Sequence, residues 1–453
     1  MAESTSDLLE LARRVAGLAD GTEQIEAYVS RTRETEVKVH GGEVEALTVA
    51  ERAGVGVRVL VSGRQGFAWA GSLDPDIVDE AVAEARDNAR FATPDEFTAI
   101  ADEAHCDRPV SDLDLWCDDV LATSTEDKVA LALAVETATK HADARVRAVE
   151  TARYGDTALE TAVVNSNGVE AATRRTTAAV SAYAMVGTGA ETRTGSGFSA
   201  GRAFAELDAD EAGGDAASRA ARLLGAVQPA TCTVPVVFDP LVTRSLLAII
   251  GAALGAESIA KGRSMFVGRM GEQVAAACVT LSDDPTAPGA FGATPYDAEG
   301  VPTGVVDLLA EGALVGLLHN VSTAKRAGTS TTGSAVRGGY ASAPGAGARA
   351  LTLVPGAHSP DEILGIAGEA LYVQSVSGLH SGTNPVSGDF SVGADGLMVR
   401  GGAFAEPVRE VTIASTLPRM LLDILEVGSD LTWLPGGAAG VTLLVGEMTV
   451  SGS

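Results

Sequence analysis

Apolar residues recur at helical spacing over residues 7–19 (Leu8, Leu9, Leu11, Val15, Leu18), with Ser4, Ser6 or Asp7 placed to cap the start, and predict a first helix. From Gln24 the period changes to short alternating runs at 25–31, 35–40, 44–50, 55–61 and 66–70, divided by turn residues such as Gly41-Gly42 and Ser62-Gly63. That spacing predicts an antiparallel meander. Helices follow at 74–91, opened by Asp74-Pro75-Asp76, and at 125–142, capped by Ser124 or Thr125. Residues 145–154, 157–164 and 170–186 alternate like strands, the last two joined by the turn Asn165-Ser166-Asn167-Gly168. A helix at 208–224 precedes Gln228-Pro229-Ala230, which reads as a linker. Beyond it come a β-branched run at 231–238 and an apolar, Ala-rich helix at 241–260 expected to be buried. After Gly262 the chain is Gly-rich and strand-like, with one helical stretch at 361–371. The pattern predicts an α+β fold: an N-terminal antiparallel sheet with helices over 1–227, then a β-rich C-terminal domain over 228–453.

Length and composition narrow this picture. The 453 residues suit two or three domains, and 46% hydrophobic content with 4% aromatic calls for a core of aliphatic side chains. A net charge of −27 argues against nucleic acid and anionic membrane surfaces as partners, since both draw their affinity from Lys and Arg. No apolar run approaches the ~20 residues of a membrane span, and the first residues lack a secretory leader pattern. Cys106, Cys117, Cys232 and Cys278 are widely spaced, as expected for reduced, mostly buried thiols in a cytoplasmic protein.

Four features could carry chemistry. The six histidines are dispersed, and the closest pair, His358 and His380, lies 22 residues apart, so no helix offers two imidazoles one turn apart for a metal. Gly197-Phe198-Ser199-Ala200-Gly201 matches GxSxG, but the segment before it is polar and flexible rather than a buried strand. Asp283-Asp284 and Asp297 with Glu299 form an acidic group that could bind a hard cation, act as acid and base, or simply cap turns. Residues 378–391 gather His380, Ser381, Asn384 and Asp389 among small and Gly residues, as a peptide-binding or cavity-lining loop would; a pair of turns fits equally.

Residues 380–391 (His-Ser-Gly-Thr-Asn-Pro-Val-Ser-Gly-Asp-Phe-Ser), continued by 393–396 and 406–413, resemble the C-terminal pattern of the TldD/PmbA family of gyrase modulators and metallopeptidases. Residues 54–59 with 63–67, 262–266 with 271–274, and 297–303 agree with the same family in order along the chain. The resemblance implies a dimer around an internal cavity. It further implies a catalytic TldD-type subunit with HExxxH on the helix before the Gly-Arg-Ser segment and a Cys near the C-terminal pattern. Here that helix has no His, and no Cys follows Cys278, which is similar to the PmbA (TldE) branch. The resemblance therefore implies no catalytic or metal-ligating residue in this chain. It points to zinc in a TldD-like partner subunit, unfolded peptides as substrates, and a homodimer as the other assembly. A self-sufficient homodimeric hydrolase and a peptide-binding regulatory module are the competing readings.

Overall fold

Residues 5–452 are described by a computed structural model; Ser4 lies outside them. Six antiparallel strands form the first sheet: β1 (Gln24–His40), β2 (Glu43–Val61), β3 (Arg64–Ala70), β4 (Val146–Asn165), β5 (Glu170–Val186) and β6 (Arg193–Gly201), in spatial order β3-β2-β1-β4-β5-β6. The runs expected as separate strands at 25–31 and 35–40, at 44–50 and 55–61, and at 145–154 and 157–164 are single long strands. The ladder continues through the polar residues that suggested breaks. Residues 31–34 pair with 53–50, and Gly155-Asp156 lie opposite Glu36 and Thr35, where the Asp156 carboxylate accepts from the Thr35 N–H at 3.2 Å.

Alternation sorts each strand into two faces. One face packs on helices: Ile25, Val29, Val57 and Ala162 meet Thr5–Ala16 and Pro75–Phe91, whereas Tyr154, Val180 and Ala184 meet Thr125–Ala142 and Ala209–Arg222. Asp74, Ser124 and Asp208 cap three of these helices by accepting backbone N–H bonds, as the sequence pattern suggested.

Of the segment expected to be flexible, 187–196, residues 187–192 form a turn and 193–196 open the edge strand β6. Its glycines are what the helix Ala209–Arg222 requires. A Cβ at Gly195 would lie 2.3 Å from Ala220 N, and one at Gly197 2.3 Å from Ala212 O. Ser199 sits mid-strand, 5% exposed, accepting the Asp208 N–H at 3.1 Å, so GxSxG here forms no strand-to-helix elbow.

In the C-terminal half, strands Ala403–Thr416, Asp389–Arg400, Ala370–Ser377, Cys232–Phe238 and Leu443–Ser451 are neighbours in that order and close into a barrel through 412–414 against 449–451. The strand Cys232–Phe238 runs parallel to Ala370–Ser377 and feeds the helix Pro240–Ala253, whose Leu246, Leu247 and Ile250 enter a core with Phe238, Leu281, Leu309 and Leu371. The expected helix at 241–260 is two helices, Pro240–Ala253 and Ala256–Ala260, and it is buried on one face only: Ala248 and Ala252 are exposed. The stretch at 361–371 is the helix Pro360–Ala367 followed by the strand Ala370–Ser377. All four cysteines are free; three are half-buried and Cys278 is exposed, contrary to the expected burial. Among the described residues no helix is long and apolar enough to cross a membrane.

Candidate functional site

The sheet face turned away from the helices looks onto the C-terminal domain across a cleft. On β5, Val180, Ala182 and Ala184 point to the helices, so Arg175, Thr177, Ala179 and Tyr183 fall on the cleft side. A first chamber of about 560 Å³ lies between Thr157, Leu159 and Arg175 on the sheet and Val336, Arg337 and Arg349 opposite. A second, about 490 Å³, lies between Tyr183, Ser196 and Phe198 and the start of the helix Pro240–Ala253, at Leu241, Arg244 and Ser245. Ala179 and Pro435 line both, so the chambers adjoin. From Arg175 to Tyr183 the strand advances eight residues, roughly 26 Å at ~3.3 Å each, the length of an extended octapeptide.

Two polar clusters hold the walls in place. At one end Arg58 on β2 contacts Glu26 on β1 at 2.5 Å and Glu299 at 3.0 Å, while Arg337 also pairs with Glu26 and stacks over Tyr28. Glu299 accepts the Val321 N–H at 2.9 Å with its other oxygen. All four side chains are almost wholly buried, yet each charge is matched. The Glu26 carboxyl lies below its usual range, the attraction of Arg58 and Arg337 outweighing burial, which pushes the other way. At the other end Asp239 caps the helix Pro240–Ala253 through the Leu241 N–H and accepts from Arg219 at 3.0 Å and from the Tyr372 hydroxyl at 2.6 Å.

The acids singled out in the sequence are split between the end of the strand Leu281–Asp283, with Asp284 after it, and the turn at 297–300. Asp283 is buried and accepts the Arg349 and Ala350 N–H groups at 2.9 and 2.6 Å; burial raises its pKa. Half-buried Asp284 accepts from the Thr286 N–H and hydroxyl. Asp297 accepts N–H groups of Glu299, Val301 and Ala335 at 2.8–3.0 Å, and burial, reinforced by the Glu299 charge, pushes its carboxyl up to about 7. The 54–59 and 297–303 stretches thus meet at Arg58 and Glu299. Gly56 belongs to the same junction: a Cβ there would lie 2.3 Å from the Tyr340 carbonyl oxygen.

Residues 378–391 form a one-turn helix, Leu379–Gly382, and a tight loop before the strand Asp389–Arg400. Leu379 borders the second chamber, whereas His380, Ser381, Asn384 and Asp389 are exposed. Their polar atoms serve the loop itself: Ser381 donates to the Gly378 carbonyl, Asn384 accepts the Val386 N–H, and Asp389 accepts from the Ser387 hydroxyl. Met265 N–H donates to the Pro385 carbonyl at 2.9 Å, which brings the 262–266 stretch onto this loop. The arginines of the cleft were not singled out in the sequence, although the alternation over 170–186 already sets Arg175 on the face opposite Val180 and Ala182.

A helix-backed antiparallel sheet facing a closed barrel that carries a helix at its mouth defines the class. Matches to the PmbA/TldA metallopeptidase domain 1 over residues 25–89, central domain over 118–224 and C-terminal domain over 231–452 place this chain in the PmbA/TldD metallopeptidase family. It is 28% identical to metalloprotease PmbA of Escherichia coli, over 99% of this chain and 96% of that one. A solved structure from Thermotoga maritima, named as a proposed modulator of a DNA gyrase, matches with TM-score 0.89 and 26% identity over 98% of this chain and 99% of that chain. TldE of Thermococcus kodakarensis shares the fold at TM-score 0.88 and 23% identity, over 99% and 100% of the two chains.

The family name implies a metal. The helix Pro240–Ala253 carries no His, Cys, Asp or Glu. Among the described residues no three such side chains come together as a metal-holding group. The described residues thus do not fit a metal of the metallopeptidase kind.

Proposed function

We propose that this chain is the non-catalytic, PmbA (TldE)-like subunit of a two-subunit zinc peptidase whose TldD-like partner supplies the metal and cleaves unfolded peptides. The observation that carries this reading is the helix Pro240–Ala253. Its Leu246, Leu247 and Ile250 serve the core, and its solvent-facing positions Ala248 and Ala252 offer neither a ligand nor a base. Arg244 and Ser245, one turn earlier, border the second chamber, so the helix stands beside the cleft while contributing no reactive group. Similarity to E. coli PmbA over nearly the full length of both chains supports the branch. The role left to the chain is to close a chamber, admit only extended segments and hold the active partner.

The test is reconstitution. The purified chain should show no chelator-sensitive peptidase activity, and mixing with a TldD-like subunit bearing HExxxH should produce it, with zinc following the partner's stoichiometry. Chelator-sensitive turnover by the chain alone would overturn the proposal.

A further inference from the structure

We infer that the Arg175 end of the cleft is a carboxylate-binding subsite that receives an acidic group of an extended peptide. The inference deepens the proposed function and rests on it for the substrate class. Arg175 lines the first chamber from the middle of β5, where its ladder partner is Leu159. It is half-buried and has neither an ion pair nor a hydrogen bond among the described residues, unlike Arg337 across the chamber, which is spent on Glu26. The charges nearest to it make matters worse. Burial, then repulsion from Arg349, pushes its pKa down to about 10, Arg202 adds to the repulsion, and only the Tyr28 phenol opposes it.

Among the described residues the neighbouring guanidinium groups do not form ion pairs either. Arg349 donates to the Ala335 carbonyl at 2.6 Å and Arg202 to the Ala290 carbonyl at 2.5 Å, and each retains a buried nitrogen with no partner, Arg349 Nε and Arg202 Nη1. Asp156, the acidic residue in the lining of this chamber, has its carboxylate turned to the helix side, where Lys128 at 2.6 Å, the Tyr154 hydroxyl at 2.6 Å and the Thr35 N–H hold it. A protein of net charge −27 thus keeps an unmatched cation inside a chamber with apolar Leu159, Phe291 and Val336 walls. A guanidinium fork free on both N–H edges is the group that recognises a carboxylate in two bonds, and desolvation strengthens that recognition. The eight-residue run to Tyr183 gives an extended chain room to lie along β5 with its acidic group at Arg175.

The test uses the full chain and octapeptides of one Ala/Ser/Gly sequence, each capped at its N-terminus with an uncharged BODIPY dye, in three forms: C-terminal carboxylate, C-terminal amide, and amide with one internal Asp. Anisotropy should show the carboxylate peptide binding roughly ten- to a hundred-fold tighter than the neutral amide, the scale of a charge-assisted hydrogen bond. Recovery of that affinity in the Asp peptide would assign the subsite to acidic side chains, and its absence to chain ends; both support the inference. Arg175→Met should erase the difference while leaving neutral-amide binding within about two-fold, and it removes no native partner, so an unchanged circular dichroism spectrum is expected. Arg175→Lys, should R175M misfold, keeps the charge without the fork and should lose most of the preference. Equal binding of all three peptides, or a preference that survives R175M, would overturn the subsite while leaving peptide handling standing. Succinate raising the melting temperature of wild type but not of R175M, with no peptide bound, would keep the anion subsite and overturn the peptide as its ligand.

Discussion

Two clusters of arginine border the same cleft, each drawing on both of its walls, and are built on opposite principles. Arg58 and Arg337 are more deeply buried than Arg175, yet Glu26 and Glu299 match their charges, leaving only Arg58 Nε without a partner among the buried polar atoms of these four side chains. Arg175, with Arg202 and Arg349 behind it, has more solvent and no counter-ion among the described residues. Burial is therefore not what distinguishes them; compensation is. A matched buried network ties elements together, whereas a cation left unmatched in a cavity is a cost to the fold that a ligand can relieve.

The largest effect should come from breaking the matched side. Arg58→Met leaves Glu26 with only Arg337 and Glu299 with only the Val321 N–H, and should destabilise the chain by about 3–5 kcal/mol, read from the shift of a urea unfolding midpoint. Next is the titration at Asp297, which borders this network. Its folded pKa of about 7 stands above the 3.8 of the free group, so between those values the folded state holds a proton that the unfolded state has lost. Its contribution to stability must then fall as pH rises from about 4 to about 7 and level off above that. Asp297→Asn should show a shallower fall in unfolding midpoint between pH 5 and 7.5 than wild type; parallel curves would count against it.

On the unmatched side the sign reverses. Arg175→Met should raise stability, by roughly 1 kcal/mol once the solvent still reaching the group is allowed for, and a loss of stability would mean that Arg175 has a structural partner after all. The smallest effect belongs outside both clusters: His380→Ala, on an exposed loop whose bonds do not involve the imidazole, should stay within about 0.5 kcal/mol of wild type. Loss of zinc from the reconstituted complex on that substitution would contradict the proposed division of labour.

Much of the fold could be read from period alone. The alternation at 55–59 and 180–186 identified strands and separated their two faces, and Asp74, Ser124 and Asp208 marked helix starts. Strand length could not be read, because polar residues such as 31–34 and Gly155-Asp156 break an apolar pattern without breaking a ladder. The edge strand β6 was hidden because its glycines answer to a helix that follows in sequence, not to local flexibility. The site was less legible. Glu299 meets Arg58 across 241 residues of sequence, a pairing that no local pattern encodes. The polar residues of 378–391 resembled a binding loop, yet Ser381, Asn384 and Asp389 spend their polar atoms on the loop itself. Arg175 was the informative residue in an unremarkable place, an arginine on the small-residue side of a strand.

The division of labour is tested most directly with a TldD-like partner whose HExxxH glutamate has been changed to glutamine, mixed with this chain in wild-type form. The account predicts an assembled complex with zinc on the partner and no peptide hydrolysis, because no residue here can replace the missing base. Chelator-sensitive hydrolysis by that mixture would place catalysis in this chain and contradict the account.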